Sequence, residues 1–305
     1  MLIWLMLLCT GCSSSQESTN ALTESLAFGS EGSVDILTWN IEAFPKEGFA
    51  SAEALVALLT ALEPDVVAIQ EVWSQAHLEW VAQTLGTYQI SATPESEDTG
   101  LYFLFDTRTV ELVTPAQTIL RANAYEFGSR APIQIDLKVQ ETAIRLINLH
   151  YKCCGDDQIG DTYWDEEVRR LTASGILKGY LDRLSSSSPV VVLGDWNDAL
   201  TDPDTHNIFR PIQADPDNYR FADVEIAQPE NQRNWSFPSY PSHLDHILVN
   251  RPLIPVLNQD STSVRTIRID QATGPGTQNY FQTLSDHRPV GLSFTIENTS
   301  LRYID

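Results

Sequence analysis

From Val34 onward the chain alternates apolar runs with amphipathic stretches, and this alternation predicts its elements. Val34 to Ile41 reads as a strand, Ser51 to Leu62 as a helix with Ser51 placed to cap it, and Asp65 to Val72, after Pro64, as the next strand. Ser74 to Leu85 has the form of a second capped helix, closed by Gly86. Further strands are expected at Leu101 to Phe105, Ile133 to Val139, Ile144 to His150, Val190 to Leu193, Ile247 to Val249 and Val290 to Ile296, with a long helix from about Trp164 to Leu184. Ile133, Ile135, Leu137 and Val139 alternate cleanly, so one face of that strand is buried and the other wetter. The class is α/β, and the pattern alone allows a doubly wound parallel sheet. There is no internal repeat.

The polar residues fall at the ends of these apolar runs. Asn40 and Glu42 follow the first strand, Glu71 the second, and His150 the Ile144 run. Asp195 and Asn197 follow the Val190 run, Asp245 precedes Ile247, and Asp286 with His287 precedes Val290. Taken singly, each is a cap or a turn residue; Asp195 after Gly194 is the form of an ordinary turn. Six such ends together point to one site, because strand ends are where α/β folds gather their chemistry. Several carboxylates in one cleft raise one another's pKa unless a cation offsets them, and a hard divalent ion suits oxygen ligands. Magnesium or manganese fits, with calcium a further candidate.

Composition changes the picture in one respect. The chain has 305 residues with 19 Lys plus Arg and 41 Asp plus Glu, a formal charge of −22. Such a field repels nucleic acid and anionic lipid as a whole, although bound cations or a local basic patch reverse its sign inside one cleft. With 42% apolar residues, the composition excludes a collagen-like, coiled-coil or wholly disordered chain and permits a sizeable core.

Met1 to Cys9 is an unbroken apolar run, too short to span a bilayer, and Thr10, Gly11, Cys12 and three serines follow it. This resembles a bacterial lipoprotein signal, although no Lys or Arg precedes the run and Cys9 stands where Leu is usual. The resemblance implies residues 1–12 as an export signal, lipid on Cys12, and an exported protein that is an outer-membrane lipoprotein or is secreted or periplasmic. Residues 13–33 read as a polar tether and 299–305 as a tail. Cys153 and Cys154 are adjacent, so they close a strained vicinal disulfide or sit in a tight turn, and no CxxC or CxxH spacing accompanies them.

The ordered series Trp39-Asn40-x-Glu42, Gln70-Glu71, Asn148-x-His150, Gly194-Asp195-x-Asn197, Asp245-x-Ile247 and Ser285-Asp286-His287-x-Pro289 resembles the endonuclease/exonuclease/phosphatase superfamily. This superfamily includes deoxyribonuclease I, abasic-site endonucleases, neutral sphingomyelinases and inositol polyphosphate 5-phosphatases. The resemblance spans about Val34 to Ile296 and implies one catalytic domain over 34–298. The fold it implies is a four-layer α/β sandwich of two mostly antiparallel sheets flanked by helices.

It also implies roles. Glu71, Glu42 and Asp286 are similar to metal ligands, and Asn40 to a residue that orients a carboxylate or the phosphate. His287 resembles the group that contacts phosphate and moves a proton, with Asp245 as its orienting partner. Asp195 and Asn197 match the pair that aligns the attacking water, and His150 the group beside the leaving oxygen. Arg130 resembles a phosphate contact suited to bidentate geometry. Hydrolysis of a phosphoester needs an in-line water, a charge-offsetting cation and stabilisation of the leaving oxygen. No Gly-x-Ser-x-Gly elbow marks a covalent nucleophile.

The implied activity is divalent-metal-dependent hydrolysis of phosphodiesters by a monomer that meets membrane only through its anchor. Nucleic acid ranks first on His150 and Arg130, before phospholipid headgroups and sugar or inositol phosphates; a surface binding protein without turnover is the reading from another class. His243 is taken as local structure, since strand alternation sends His246 to the opposite face. His77 and His206 are taken as ordinary surface or helix residues. Tyr219, Phe221, Trp235, Phe237 and Tyr240 either floor a base or sugar or cover a loop's own core.

Overall fold

A computed structural model describes residues 22, 23, 26, 28–30, 32–139 and 142–295. Two six-stranded sheets lie face to face. Sheet I has the order β11-β12-β1-β2-β4-β3, built from β1 (Val34–Phe44), β2 (Val66–Val72), β3 (Tyr88–Ser91), β4 (Tyr102–Asp106), β11 (Ser263–Thr266) and β12 (Val290–Phe294). Sheet II has the order β5-β6-β7-β8-β10-β9, from β5 (Val110–Thr118), β6 (Ile133–Val139), β7 (Thr142–His150), β8 (Val190–Asp195), β9 (Tyr219–Phe221) and β10 (Asp245–Asn250).

Each sheet has one parallel pair at its centre, β1 with β2 and β7 with β8, and the remaining pairs are antiparallel. The sandwich of two mostly antiparallel sheets is therefore what the chain adopts, and the doubly wound parallel sheet is not. The carboxyl ends of both parallel pairs point to the same end of the molecule, the site end.

Apolar positions of both sheets meet in one layer that includes Ile36, Ala68, Phe103, Ile135, Leu146, Val191, Leu193, Ile247 and Leu292. Each fully buried Leu, Ile or Phe contributes roughly 1.5–3 kcal/mol, so this layer holds the sheets together. Helices α1 (Phe49–Leu62) and α2 (Gln75–Leu85) cover sheet I, and α3 (Glu166–Leu181) covers sheet II. In α1, Leu55, Leu58, Leu59 and Leu62 face the sheet. Ser51 lies inside this helix rather than at its cap, because the chain enters two residues earlier through Gly48, and the Ser51 hydroxyl donates to Thr283 O at 2.6 Å. Ser74 does stand at the cap position of α2, and Gly86 closes that helix in a left-handed conformation.

The export signal and the C-terminal tail lie outside the described residues, so lipidation of Cys12 does too. Within the stretch read as a tether, Leu22, Leu26 and Phe28 are buried in the core over sheet I. No helix among the described residues is long and apolar enough to cross a membrane. Cys153 and Cys154 are free thiols with their sulfurs 2.8 Å apart, in the turn that leaves β7.

Candidate active site

The parallel pairing of β7 with β8 sets His150 beside Asp195. Gly194 makes this register possible, since a Cβ there would stand 2.0 Å from Leu149 O. In sheet I the same role falls to β1 and β2, whose pairing is interrupted by a bulge between Asn40 and Phe44. Glu42, Ala43 and Glu71 all take positive φ there, as does Asn197 across the cleft. Non-glycine residues avoid this region, and such strain gathers at functional sites. Here it turns Ala43 N–H onto Glu71 Oε2 at 3.1 Å and aims the Glu71 carboxylate into the gap between the sheets.

Asn40 spans that gap. Its Nδ2 donates to Glu71 Oε1 at 3.1 Å and to Asp195 Oδ2 at 2.9 Å, while its Oδ1 accepts from Glu42 N at 2.9 Å. His150 Nε2 lies 3.4 Å from Asp195 Oδ2 and 4.0 Å from Glu71 Oε1. Burial and the neighbouring Arg130 and His287 hold the His150 imidazole well below its usual pKa, so it is neutral.

His287 Nδ1 donates to Asp245 Oδ2 at 2.7 Å, and its Nε2 lies 3.9 Å from both Asp195 and Asp286. Burial opposes charge on His287, but Asp245 and then Asp195 outweigh it and push the pKa to about 10. Asp195 is raised by burial and by Asp245 and Glu71, against the pull of His287 and Asn40. Asp195 Oδ1 accepts from Asn197 N at 3.0 Å, and Asn197 Nδ2 donates to Tyr151 O at 3.2 Å.

Asp286 is raised by burial first and then, against His287, by Glu42 and Glu71. Among the described residues, Lys46 is the only lysine or arginine paired with these three carboxylates, on Glu42. An all-oxygen acidic set with so little compensation fits a hard divalent cation held by Glu42, Glu71 and Asp286.

Every sequence-predicted site residue therefore lies at the same end of the sandwich. Arg130 lines a cleft of about 280 Å³ with Glu71, Trp73, Glu97, Asp98 and His150, and two of its nitrogens donate to the His150 and Tyr151 carbonyls, 3.3 and 2.7 Å away. Sequence reasoning gave no role to Ser285, whose hydroxyl donates to Asn40 O at 2.6 Å and accepts from His287 N at 2.9 Å, tying the site end of β1 to the turn before β12. Its signal was its place ahead of Asp286-His287. Lys46 and Trp73 were also missed, and nothing in their spacing marks them.

His243 and His246 do not point to opposite faces. Both meet Asp223 Oδ2, at 3.0 and 2.6 Å, because His243 precedes the first residue of β10 and strand alternation does not apply to it. His243 Nδ1 accepts from Ser236 N at 3.2 Å, so its Nε2 carries the proton given to Asp223. His246 has acceptors on both nitrogens, Asp223 Oδ2 and Asp198 O, and is an imidazolium buried beside a carboxylate. The cluster is a fastening for the loops before β10. Of the loop aromatics, Tyr219 and Phe221 are core, Phe237 lies against His287 with ring centroids 4.8 Å apart, and Tyr240 is exposed.

The fold is a two-sheet α/β sandwich with acidic and imidazole groups gathered at one end of it. The chain belongs to the Endonuclease/Exonuclease/phosphatase family, whose sequence profile matches residues 37–287. Members of the family are phosphoester hydrolases that use divalent metals. No curated protein matches the sequence. Among solved structures, the chain is similar to D. rerio TDP2 complexed with single strand DNA product, at TM-score 0.61 and 15% identity over 87% of this chain and 99% of that one. It is also similar to the human Nocturnin catalytic domain with bound sulfate anion (TM-score 0.56, 16% identity, 88% and 97% covered). A third similar fold is a Bacteroides vulgatus endonuclease/exonuclease/phosphatase (TM-score 0.58, 14% identity, 87% and 99% covered). At these identities the likeness is one of fold.

Proposed function

We propose that the protein is a divalent-metal-dependent phosphodiesterase that acts on nucleic acid by attack of water in line with the leaving oxygen. The observation that carries this reading is the Asn40 amide bonded at once to Glu71 and Asp195, which joins the acidic set of sheet I to the acid–base groups of sheet II. Glu42, Glu71 and Asp286 would hold a divalent cation, which would supply positive charge against the non-bridging phosphate oxygens.

The chain's own groups supply the rest. With Asn197 Nδ2 committed to Tyr151 O, its Oδ1 and the Asp195 carboxylate are the acceptors that orient a water. Asp245 fixes the His287 ring so that Nε2–H faces the cleft, where an imidazolium stabilises developing negative charge. His150 Nε2, beside Glu71 and Asp195, stands next to the leaving oxygen. The fold relative bound to single-strand DNA supports nucleic acid as the substrate class.

The test is hydrolysis of a single-stranded oligonucleotide, of supercoiled DNA and of an unspecific aryl phosphodiester, with magnesium, manganese or chelator, beside a His287→Ala control. Chelator- and His287-sensitive cleavage of the aryl diester and of nucleic acid in at least one of the two forms is expected. Cleavage of the aryl diester alone would keep the mechanism and redirect the substrate to phospholipid headgroups or small phosphoesters. Turnover of neither would favour a binding protein.

A further inference from the structure

Every exposed aromatic side chain among the described large apolar residues stands at the site end. Phe49 and Trp73 follow the carboxyl ends of β1 and β2. Tyr125 precedes β6, Tyr163 and Trp164 follow β7, and Tyr240 precedes β10. Trp73 is 73% exposed, Tyr163 71%, Trp164 60% and Tyr240 74%. Folding buries such rings wherever it can, so a set left in water around one cleft marks a contact surface. Their placement is also built. The Arg169 guanidinium caps the Tyr125 ring at 4.1 Å and donates to Tyr125 O, and Tyr163 lies 6.1 Å from Tyr125 and 4.9 Å from Trp164 between ring centroids. Trp73 lines the cleft itself, with Glu71, Arg130 and His150.

Resting on the phosphodiesterase reading, we propose that this aromatic rim stacks unpaired bases on either side of the scissile phosphate, so that the substrate is single-stranded nucleic acid or a frayed end and not duplex. Stacking is open to any unpaired base, because every base has a π face, whereas a duplex keeps its bases against one another. Charge agrees. Asp156, Asp157 and Asp161 are exposed on the loop that carries Tyr163 and Trp164, and exposed Glu97 and Asp98 line the cleft with Trp73; a duplex presents one phosphate per ~1.7 Å of axis to them. A short flexible strand offers fewer phosphates and holds on through its bases.

A lipid surface fits less well. Among the described residues, the exposed large aliphatic side chains, Leu112, Val113 and Val224, lie on edge strand β5 and after β9, so the rim there presents exposed rings and no exposed large aliphatic side chain to enter a bilayer. The rim carboxylates would also lose water against it.

The test compares the full chain with its Tyr163→Ala/Trp164→Ala double variant. Substrates are a short single-stranded oligonucleotide, the same sequence as duplex, and the aryl phosphodiester. Anisotropy of the labelled single strand in chelator reads binding without turnover. Single strand is expected to exceed duplex by about tenfold or more in kcat/KM, and the double variant to lose about tenfold on the single strand, through KM and in anisotropy alike, with the aryl diester rate unchanged. Equal rates on single strand and duplex would overturn the proposal, and so would an equal loss on the aryl diester. Loss of binding to phosphatidylcholine vesicles with oligonucleotide binding intact would assign the rings to a lipid surface instead. If the wild type turns over nothing with any metal, the phosphodiesterase reading fails, while anisotropy still decides whether the rim binds bases.

Discussion

Asn40 and Asp195, 155 residues apart and in different sheets, share a hydrogen bond of 2.9 Å between buried side chains. The same amide nitrogen reaches Glu71, so one side chain sets the distance between the acid cluster of sheet I and the acid–base groups of sheet II. Asn40→Ala leaves both carboxylates free to relax apart. We expect kcat to fall roughly 10- to 100-fold, the usual cost of removing a group that orients ligands, with circular dichroism unchanged. Wild-type kcat in this variant would show that the bridge is structural only.

Glu71 is the carboxylate through which Asn40, Ala43 and His150 converge. Glu71→Gln keeps its shape and removes the charge that a cation needs. A ligand that binds only the folded state raises stability as its concentration exceeds Kd. The wild type should therefore show a rise in Tm with added manganese, and Glu71→Gln should show little or none. An equal rise in both proteins would place the cation elsewhere.

His287 depends on Asp245 for its charge and its orientation. Asp245→Asn preserves the volume but removes the carboxylate that holds the imidazolium, and an amide that donates to Nδ1 leaves a neutral ring with its one proton on Nε2. A fall in kcat of about 10²- to 10⁴-fold is expected, the range for loss of a positioned acid–base group, with KM little changed. Single-turnover rates on the aryl diester measure it directly.

The place of the candidate site was legible because its residues stand at the ends of apolar runs that read as buried strands: Glu71 is the last residue but one of Val66–Val72, His150 ends Thr142–His150, and Asp195 ends Val190–Asp195. Four strands were not foreseen. β3, β9 and β11 are three or four residues long, and β5 runs along an edge with Glu111, Leu112 and Val113 exposed, so none shows a clean alternation. Sheet direction was equally hidden from periodicity, since β1 pairs with β12 across almost the whole chain. Such pairing is decided by non-local packing. Leu22, Leu26 and Phe28 were overlooked because three apolar side chains among polar neighbours do not outweigh composition, yet all three reach the core over sheet I.

The buried pair of His246 and Asp223 gives stability a pH dependence that can be isolated. Burial would lower the His246 pKa, but Asp223 at 2.6 Å raises it above the ordinary value. A base so raised contributes stability that is complete below its unfolded pKa of about 6.5 and is lost as pH rises through the folded value. Asp223, held below the ordinary carboxylate range against its burial by His246 and His243, contributes above about pH 4 and loses that contribution as pH falls through its folded value. His243 runs the other way from His246. Burial lowers its pKa despite Asp223, so its contribution is complete above about pH 6.5 and falls as pH drops below that. The three limbs overlap, and total stability alone would not separate them. His246→Gln removes its own limb and relaxes the shifts it imposes on Asp223 and His243, whose limbs lie below about pH 6.5. The difference in Tm between wild type and His246→Gln should therefore be read above that pH, where it should shrink steadily as pH rises. A difference that grew with pH would mean that His246 is neutral in the folded protein, and that its bond to Asp198 O is not donated by a second N–H.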